Sequence, residues 1–277
     1  MLVRVGSRGS RLALTQAELA AARLRVPGVE IAIVPITTAG DKDRTKPFGQ
    51  IGARGVFVKE LEEALLEKRI DVAVHSAKDM TSSDPTGLAV GAYLERDDPR
   101  DALCGATEIR PGMRIGTASA RRRAQLLALE PTLSIEPLRG NIDTRLRKRG
   151  ERKLDAVVLA ACGLDRLGLA DEIGARLDPD VMLPEAAQGA IALQVRAGEE
   201  DLVVRSDHAE TRRRVEAERE VVAAVEGGCL SPVAAHHDGT TLTALVAAED
   251  GSWVERRTGD DPTALGRALA DESRRHA

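Results

Sequence analysis

Cys229 is the residue of this 277-residue chain whose surroundings most favour covalent chemistry. It lies in the segment VEGGCLSP (residues 225–232), where two preceding glycines let other groups approach the sulfur. The other cysteines, Cys104 and Cys162, lie in apolar runs, where a free cysteine behaves as a small buried hydrophobe. Taken alone, the segment favours that ordinary behaviour for Cys229 too. The rest of the chain favours a reactive thiol.

A second group of reactive side chains follows the apolar run VAV at residues 72–74. His75, Ser76, Lys78 and Asp79 place four functional groups within five residues. Ligands of open α/β sheets bind beyond the carboxyl ends of the strands, which is where this group is predicted to lie. A carboxylate beside a lysine in a cleft can protonate or stabilise a cationic centre, so Asp79 is the candidate for proton transfer. The alternative is a polar turn in which Asp79 caps the next element.

Arginines also cluster at predicted strand-to-helix junctions. In the first arginine turn, GTASARRR (residues 116–123), Arg121 and Arg122 fall in the first turn of a helix that begins near Ser119. Cations there oppose the helix dipole, and a helix tolerates them most readily when an anion lies among them. The arginine fork matches a carboxylate, so the segment predicts bound carboxylates. A solvated basic helix start is the alternative.

The second arginine turn, LRGNIDTRL (residues 138–146), repeats this arrangement with Arg139 and Arg145, and Asn141 is its predicted N-cap. A related turn, GSRGSRL (residues 6–12), offers Arg8 and Ser10 to an anion. Its spacing differs from the G-x-G-x-x-G fingerprint of dinucleotide-binding folds.

The net charge of −4 conceals a basic region. Twelve basic and four acidic residues lie between Arg110 and Lys153, an excess of eight positive charges that requires a polyanionic partner or a solvated helix face. Binders of single-stranded nucleic acid need aromatic residues for stacking, and residues 110–153 contain none. Several small carboxylates in a cleft therefore fit better than a nucleic acid, although a helix that reads a DNA groove remains an alternative.

Other classes of site and location receive little support. The five histidines and three cysteines lack zinc-site spacings, so no metal is expected, and His236-His237 is predicted to be a surface pair. No run approaches the roughly 20 apolar residues of a spanning helix, and the N-terminus reads as a strand rather than a signal peptide. We therefore expect a cytoplasmic protein with no membrane or nucleic-acid partner.

Short apolar strands alternate with amphipathic helices, which predicts an α/β fold with mostly parallel sheets. The predicted strands are residues 2–6, 31–36, 71–75, 87–94, 114–117, 133–138, 156–160, 188–195, 233–237 and 242–248. The predicted helices are residues 10–25, 56–68, 119–129, 141–150, 163–169, 210–225 and 262–275. Residues 38–55 read as a long functional loop. The charged, proline-broken segment 95–101 is a predicted hinge. These boundaries predict three domains: residues 1–95 with 188–207, residues 100–185, and residues 209–277.

Together these segments resemble the porphobilinogen deaminase family. The matching stretches are RVGSRGSRLALTQA, GARGVFVKELEEALL, DVAVHSAKDM, ERDDPRDAL, GTASARRRAQL, LRGNIDTRL, LPEAAQGAIALQVR and VEGGCLSP, in family order over nearly the whole chain. The resemblance implies two α/β domains like those of periplasmic binding proteins and a smaller C-terminal α+β domain. It also implies a monomeric transferase that condenses four porphobilinogen molecules head to tail with loss of ammonia.

The resemblance further implies a dipyrromethane cofactor joined by a thioether to Cys229. Asp79 would assist ammonia loss and stabilise the positive pyrrole nitrogens. Residues 38–55 would form a lid, with Phe57 near the cofactor. The cofactor would be held by Ser76, Lys78, Thr117, Ser119, Arg121, Arg122 and Arg145. The substrate would be bound by Arg8, Ser10, Phe57, Arg139, Arg145 and Arg166. The alternative of another class is a non-catalytic two-lobed protein that binds carboxylates or other anions, which would need neither Cys229 nor Asp79.

Overall fold

The computed structural model of the protein describes residues 1–37, 58–81, 85–226 and 232–276. The predictions for Cys229, for Phe57 and for the 38–55 loop lie outside these residues. The chain divides into two compact units: unit 1 is Met1–Asp97 with Ala190–Arg213, and unit 2 is Asp98–Gly189 with Arg214–Ala277. Unit 2 contains both the predicted second domain and the C-terminal region, so a separate third domain from residue 209 stays a prediction.

The strands and helices follow one another in the predicted alternation. The strands are β1 Leu2–Arg8, β2 Glu30–Ile36, β3 Val72–Ser76, β4 Leu88–Tyr93, β5 Asp101–Cys104, β6 Arg114–Gly116, β7 Ser134–Glu136, β8 Ala156–Ala160, β9 Ile173–Leu177, β10 Ile191–Arg196, β11 Val233–His237, β12 Leu242–Ala247 and β13 Val254–Thr258. The helices are α1 Arg11–Leu24, α2 Lys59–Leu66, α3 Ala120–Leu129, α4 Ile142–Glu151, α5 Ala161–Arg166, α6 Ala209–Glu226 and α7 Pro262–Arg275.

Unit 1 is a five-stranded sheet in the order β2-β1-β3-β10-β4 with helices on both faces. Strand β1 is parallel to β2 and β3, whereas β10 runs antiparallel to β3 and β4. Successive side chains of a strand point to opposite faces. Accordingly Val72 and Val74 join the core formed with α1, while Ala73 joins the core formed with α2. The carboxyl ends of β1 and β3 lie side by side at one edge of this sheet.

Unit 2 contains a second five-stranded sheet, in the order β7-β6-β8-β5-β9. Strand β6 is parallel to β7 and β8, and β5 is antiparallel to β8 and β9. Val158 of β8 packs with Leu126 of α3, and Leu159 packs with Leu164 of α5, so helices cover both faces. Helices α3, α4 and α5 follow the carboxyl ends of the parallel strands β6, β7 and β8, so these three junctions lie along one edge.

The C-terminal part of unit 2 is an antiparallel sheet, β11-β12-β13, covered by α6 and α7. Val221 of α6 and Leu269 of α7 are fully buried in its core. Ala124 of α3 packs with Ala234 and Leu245, which joins this sheet to the rest of unit 2. Two α/β sheets and a smaller C-terminal sheet with helices confirm the predicted fold class. The prediction of mostly parallel sheets is wrong, because two of the four strand pairings in each five-stranded sheet are antiparallel.

Several local predictions differ from the structure. The segment predicted as a hinge ends at Asp101, which is the first residue of strand β5. The charged strands β9 and β13 were not predicted. The strand predicted over residues 188–195 begins at Ile191, and the helix predicted over residues 163–169 is Ala161–Arg166. His236 and His237 are not a surface pair: each is 8% exposed in β11, because α6 covers that strand. No helix in the described part of the chain is long and apolar enough to cross a membrane.

Candidate active site

The carboxyl edge of the unit 1 sheet brings together the predicted residues of the N-terminal region. Arg8 is the last residue of β1, and Ser76 is the last residue of the adjacent strand β3. Ser10 is the N-cap of α1, as predicted, and its Oγ accepts a hydrogen bond from the Ala13 N–H at 3.3 Å. The Ser10 hydroxyl therefore already satisfies one backbone N–H at the start of this helix.

Ser76 has a partner that the sequence did not identify. The Nε2 of Gln16 donates to Ser76 Oγ at 2.9 Å, and Ser76 Oγ donates to Gln16 Oε1 at 3.2 Å. Gln16 is only 3% exposed on α1. A buried amide among the apolar positions of a helix is the signal that could have revealed it, because a buried polar group requires hydrogen-bond partners.

Lys78 and Asp79 lie in a short 3-10 helix, Ala77–Asp79, that directly follows β3. The Ala77 N–H donates to the Ala190 carbonyl at 3.0 Å, which ties this helix to the chain entering β10. Both side chains are half-buried. Nearby His75 is buried, with its Nε2 3.1 Å from Gln194 Oε1 of β10. The structure thus holds Lys78 and Asp79 on a short segment fixed at the sheet edge.

The first arginine turn is capped by its own hydroxyl groups. Ser119 is the N-cap of α3, and its Oγ accepts from the Arg122 N–H at 3.3 Å. Thr117, 5% exposed, accepts from the Ser119 N–H through Oγ1 at 3.2 Å. Two side chains predicted to hold a cofactor therefore shape the helix start that presents the arginines.

The arginines of this turn bind a carboxylate of the chain itself. Asp101 on β5 is 0% exposed, and Arg121 and Arg122 are each 4% exposed. Nη1 of Arg121 donates to Asp101 Oδ2 at 2.8 Å, and Nε and Nη2 of Arg122 donate to Oδ1 at 3.1 and 2.7 Å. Arg122 Nη1 also donates to the Val158 carbonyl of β8 at 3.1 Å. The anion expected among these arginines is, in part, Asp101.

Burial alone would raise the pKa of Asp101, but the charges and hydrogen bonds of Arg121 and Arg122 outweigh it and lower that pKa far below its usual value. Burial likewise disfavours the charged form of Arg122, but Asp101 raises its pKa overall, and the half-buried Glu185 adds to that increase. The Asp101 carboxylate and the Arg122 guanidinium are therefore charged at neutral pH.

Arg121 has donors that the network does not use. Its Nη1 also donates to the Leu183 carbonyl at 2.8 Å. Its Nε and Nη2 are buried and have no hydrogen-bond partner among the described residues. Arg121, Arg122 and Asp101 together carry one excess positive charge. Buried donors are normally satisfied, so an arginine with two open nitrogens fits an anionic group with paired oxygens, such as a carboxylate.

The second arginine turn differs in its exposure. Arg139 and Arg145 are half-buried, and no residue of α4 is buried. Arg145 Nε donates to the Gly140 carbonyl at 2.7 Å. Asn141 occupies the N-cap position, as predicted, but its side chain makes no capping hydrogen bond. Both arginines are thus only partly covered, and Arg145 is held in part by a backbone carbonyl.

Arg166, at the end of α5, reaches the segment that precedes β10. Its Nη2 donates to the Gly189 carbonyl at 2.6 Å. The adjacent Gln188 is 0% exposed, and its Nε2 donates to Asp101 Oδ1 at 2.9 Å and to the Pro99 carbonyl at 2.7 Å. Residues 183–189 therefore contact Arg166, Arg121 and Asp101. The sequence predicted the arginines but missed Asp101 and Gln188.

The two cysteines in the described regions are buried. Cys104 is 0% exposed, and burial raises the pKa of its thiol to about 11. Cys162 is 4% exposed. A thiol becomes nucleophilic as the thiolate, so Cys104 is poorly suited to covalent chemistry. Where the structure describes the chain, no group of three or more histidine, cysteine, aspartate or glutamate residues is arranged to hold a metal ion.

Comparison with known proteins identifies two family models. Residues 3–204 match the model described as "Porphobilinogen deaminase, dipyromethane cofactor binding domain". Residues 212–274 match "Porphobilinogen deaminase, C-terminal domain". The two models leave only short stretches of the chain unmatched.

Curated relatives agree with these models. The chain is 42% identical to porphobilinogen deaminase of Geobacter metallireducens, over 98% of this chain and 90% of the relative. It is 43% identical to the protein of the same name from Trichlorobacter lovleyi, over 97% and 92% of the two chains.

Two solved structures found by comparison of coordinates are more distant. The periplasmic VFT2 domain of Bordetella pertussis BvgS matches with a TM-score of 0.42 and 15% identity, over 74% of this chain and 86% of that domain. The methionine-binding protein MetQ matches with a TM-score of 0.44 and 13% identity, over 74% and 89%.

Proposed function

The chain belongs to the porphobilinogen deaminase family, and we propose that Asp79, Cys229 and the arginines of its strand-to-helix turns carry the family's reaction. The enzyme condenses porphobilinogen molecules head to tail, releases ammonia at each step and yields the linear tetrapyrrole hydroxymethylbilane. A non-catalytic anion-binding protein is not favoured, because both matching models and the curated relatives are those of the deaminase.

The single structural observation that best supports this function is the pair of open donors on buried Arg121. Each porphobilinogen carries an acetate and a propionate, so a growing chain of pyrroles adds two carboxylates per unit. Arginines at several junctions along one sheet edge can bind such a series of carboxylates, and Arg121 has two buried nitrogens ready for one of them. We assign the same substrate-binding role to Arg8, Arg139, Arg145 and Arg166, and also to Ser10 and Phe57.

The residues of this chain also fit the family's dipyrromethane cofactor. The carboxylates of the cofactor can accept hydrogen bonds from Arg121, which has two open buried donors. They also match the excess positive charge of the Arg121–Arg122–Asp101 network. We propose that the cofactor is held by Ser76, Lys78, Thr117, Ser119, Arg121, Arg122 and Arg145. When bound, it supplies the covalent primer on which the pyrrole chain grows. Thr117 and Ser119 contribute by fixing the start of α3, so that the arginines keep their orientation.

Cys229 is the proposed attachment point, through a thioether. Its flanking glycines allow close approach to the sulfur. Burial of Cys104 and Cys162 makes them poor alternatives. The segment that carries Cys229 joins α6 to β11, two elements that pack in the same core of unit 2.

Asp79 is the proposed catalytic residue. Loss of ammonia from the substrate leaves positive charge on the pyrrole, and a fixed carboxylate stabilises such charge as it develops. The 3-10 helix that carries Asp79 is tied to Ala190 and is bounded by the end of β3, so the backbone of this residue is held at the sheet edge.

We expect Asp79→Ala to fold normally and to lower the turnover of porphobilinogen by at least about 100-fold, the effect of losing a proton-transfer group. The measurement is ammonia release with purified enzyme, compared with thermal unfolding of the same variant. Asp201→Ala, which changes an exposed carboxylate of unit 1, is the matched control. Turnover within a few-fold of the parent in Asp79→Ala would remove Asp79 from the reaction.

We further propose that the enzyme works as a cytoplasmic monomer without a nucleic-acid partner. The arginines that make residues 110–153 basic include two that are buried on Asp101, which leaves less positive charge for a polyanion than the sequence suggests. Binding to DNA or RNA that weakens steeply with salt would contradict this proposal.

A further inference from the structure

Asp101 occupies a central position in unit 2 that no predicted role explains. It begins β5, which pairs with β8 on one side and β9 on the other. Its carboxylate accepts four hydrogen bonds from the described side chains: one from Arg121, two from Arg122 and one from Gln188. Both oxygens are therefore engaged, and neither faces solvent.

Arg121 and Arg122 differ in how many of their nitrogens form hydrogen bonds. Each nitrogen of Arg122 has a partner, on Asp101 or on the Val158 carbonyl. Arg121 uses one nitrogen, Nη1, for Asp101 and Leu183. Its other two nitrogens remain open and buried. Asp101 thus fixes the guanidinium plane of Arg121 from one side and leaves the opposite side available.

The surroundings of Asp101 are rigid as well. Gln188 links its carboxylate to the Pro99 carbonyl. Gln125 of α3 donates to the Leu183 carbonyl at 3.1 Å and accepts from the Leu183 N–H at 2.7 Å. The Leu183 carbonyl that receives Arg121 is therefore itself held by α3, so the chain's own groups hold the network in this geometry.

We propose that Asp101 is a positioning residue of the active site: it orients Arg121 and neutralises one of the two arginines, so that the pair presents one net positive charge to one carboxylate. This inference rests on the proposed function, in which Arg121 binds a carboxylate of the cofactor or substrate. Two uncompensated arginines would attract two anions or repel one another. With Asp101 in place, the site is matched to a single acetate or propionate.

A purely structural role for Asp101 makes a different prediction. In that case its loss would destabilise unit 2, and enzyme that still folds would bind normally. Asp101→Glu separates the two roles, because it keeps the charge but extends the side chain by one C–C bond, about 1.5 Å. Displacing a binding group by roughly 1 Å can weaken binding or rate by about 100-fold.

The experiment uses the full chain and measures three quantities: thermal unfolding, the fraction of molecules carrying the covalent cofactor by intact mass, and the KM and kcat for porphobilinogen. For Asp101→Glu we expect a folded protein whose cofactor fraction falls below half that of the parent. We also expect KM to rise at least 10-fold while kcat of the loaded enzyme changes less than about 3-fold, because Asp79 is untouched.

Asp98→Glu is the matched control. Asp98 also binds two arginines, but within the described part of the chain these are Arg100 and Arg176 rather than Arg121 and Arg122. In Asp98→Glu, the fraction of molecules carrying the cofactor and the KM for porphobilinogen should equal those of the parent. Should Asp101→Glu fail to fold, Gln188→Met tests the same idea, because it removes one hydrogen bond from Asp101 and retains both arginines. It should raise KM about 3-fold.

Parent-like cofactor fraction and KM in a folded Asp101→Glu, or in Gln188→Met where the first variant does not fold, would overturn the inference. Failure of the proposed function would look different. In that case the parent protein itself would acquire no covalent mass and release no ammonia from porphobilinogen.

Discussion

The two arginine turns of unit 2 arise from the same sequence pattern but form different kinds of site. In the first, Arg121 and Arg122 are 4% exposed and bind Asp101. In the second, Arg139 and Arg145 are half-buried, and Arg145 binds the Gly140 carbonyl. The arginines of the first turn are buried against a carboxylate of the protein, whereas those of the second are only partly covered and more accessible to a ligand.

The order of the strands explains this difference. The first arginine turn follows β6, an internal strand, so its arginines extend over β8 to Asp101 on β5. The second follows β7, the edge strand of the sheet, and no residue of the helix α4 that comes next is buried. A fixed site suits a cofactor that stays, and an adaptable site suits a chain that lengthens. We expect substitutions in the first turn to affect stability and binding together, and substitutions in the second to affect binding alone.

The largest effect on stability is expected for Asp101→Asn. It leaves two buried guanidinium groups without their carboxylate, and breaking a buried ion pair from one side costs about 3–5 kcal/mol. Urea unfolding measures this loss. Asp143→Asn, an exposed aspartate of α4, is the control and should change stability by less than about 0.5 kcal/mol. Equal stabilities for the two variants would mean that the two turns do not differ as described.

An intermediate effect is expected for Arg121→Leu. The change removes the hydrogen bonds to Asp101 and to the Leu183 carbonyl, and a hydrogen bond to a charged group contributes about 1.5–3 kcal/mol. Because Asp101 keeps Arg122 and Gln188 as partners, we expect a net loss of only about 2–3 kcal/mol. Cofactor occupancy, read by intact mass, should fall as well. The neighbouring Arg123→Leu is the control, because Arg123 is exposed. Normal occupancy in Arg121→Leu would exclude it from the cofactor site.

The smallest effect on stability is expected for Arg145→Leu, which should unfold within about 0.5 kcal/mol of the parent because the side chain is not buried in the core. Its KM for porphobilinogen should nevertheless rise about 10-fold, since a charge-assisted hydrogen bond to substrate is lost. Arg147→Leu, on the same helix and paired with Glu151, should leave KM unchanged. A stability loss as large as that of Arg121→Leu would make the two turns equivalent.

Local patterns in the sequence sufficed to predict the ends of many elements. Ser10 caps its helix as predicted, a helix begins beside Ser119 as predicted, and strands such as 156–160 and 233–237 match the structure. These features depend on side chains within a few residues of one another. The arginine-rich turns were also identified from local pattern, because the helix dipole makes arginines in a first turn conspicuous.

The partners of those arginines could not be predicted in the same way. Asp101 lies about 20 residues before Arg121, and Gln188 lies 87 residues after Asp101. Their contacts depend on the order of strands in the sheet, which a single sequence does not specify. The charged segment around residues 95–101 was interpreted as a hinge because its acidic residues resemble solvent-exposed ones. One of them, Asp101, is instead fully buried, and the positive charges of Arg121 and Arg122 compensate its negative charge.

The most direct test of the whole account is the intact mass of the purified protein beside that of a Cys229→Ser variant. We expect the parent to exceed the mass of its polypeptide by two porphobilinogens less two ammonias, and the variant to lack this excess. A bare polypeptide mass for the parent, unchanged after incubation with porphobilinogen, would contradict the assignment of Cys229 and of the cofactor site. The same excess in both proteins would place the attachment at another residue.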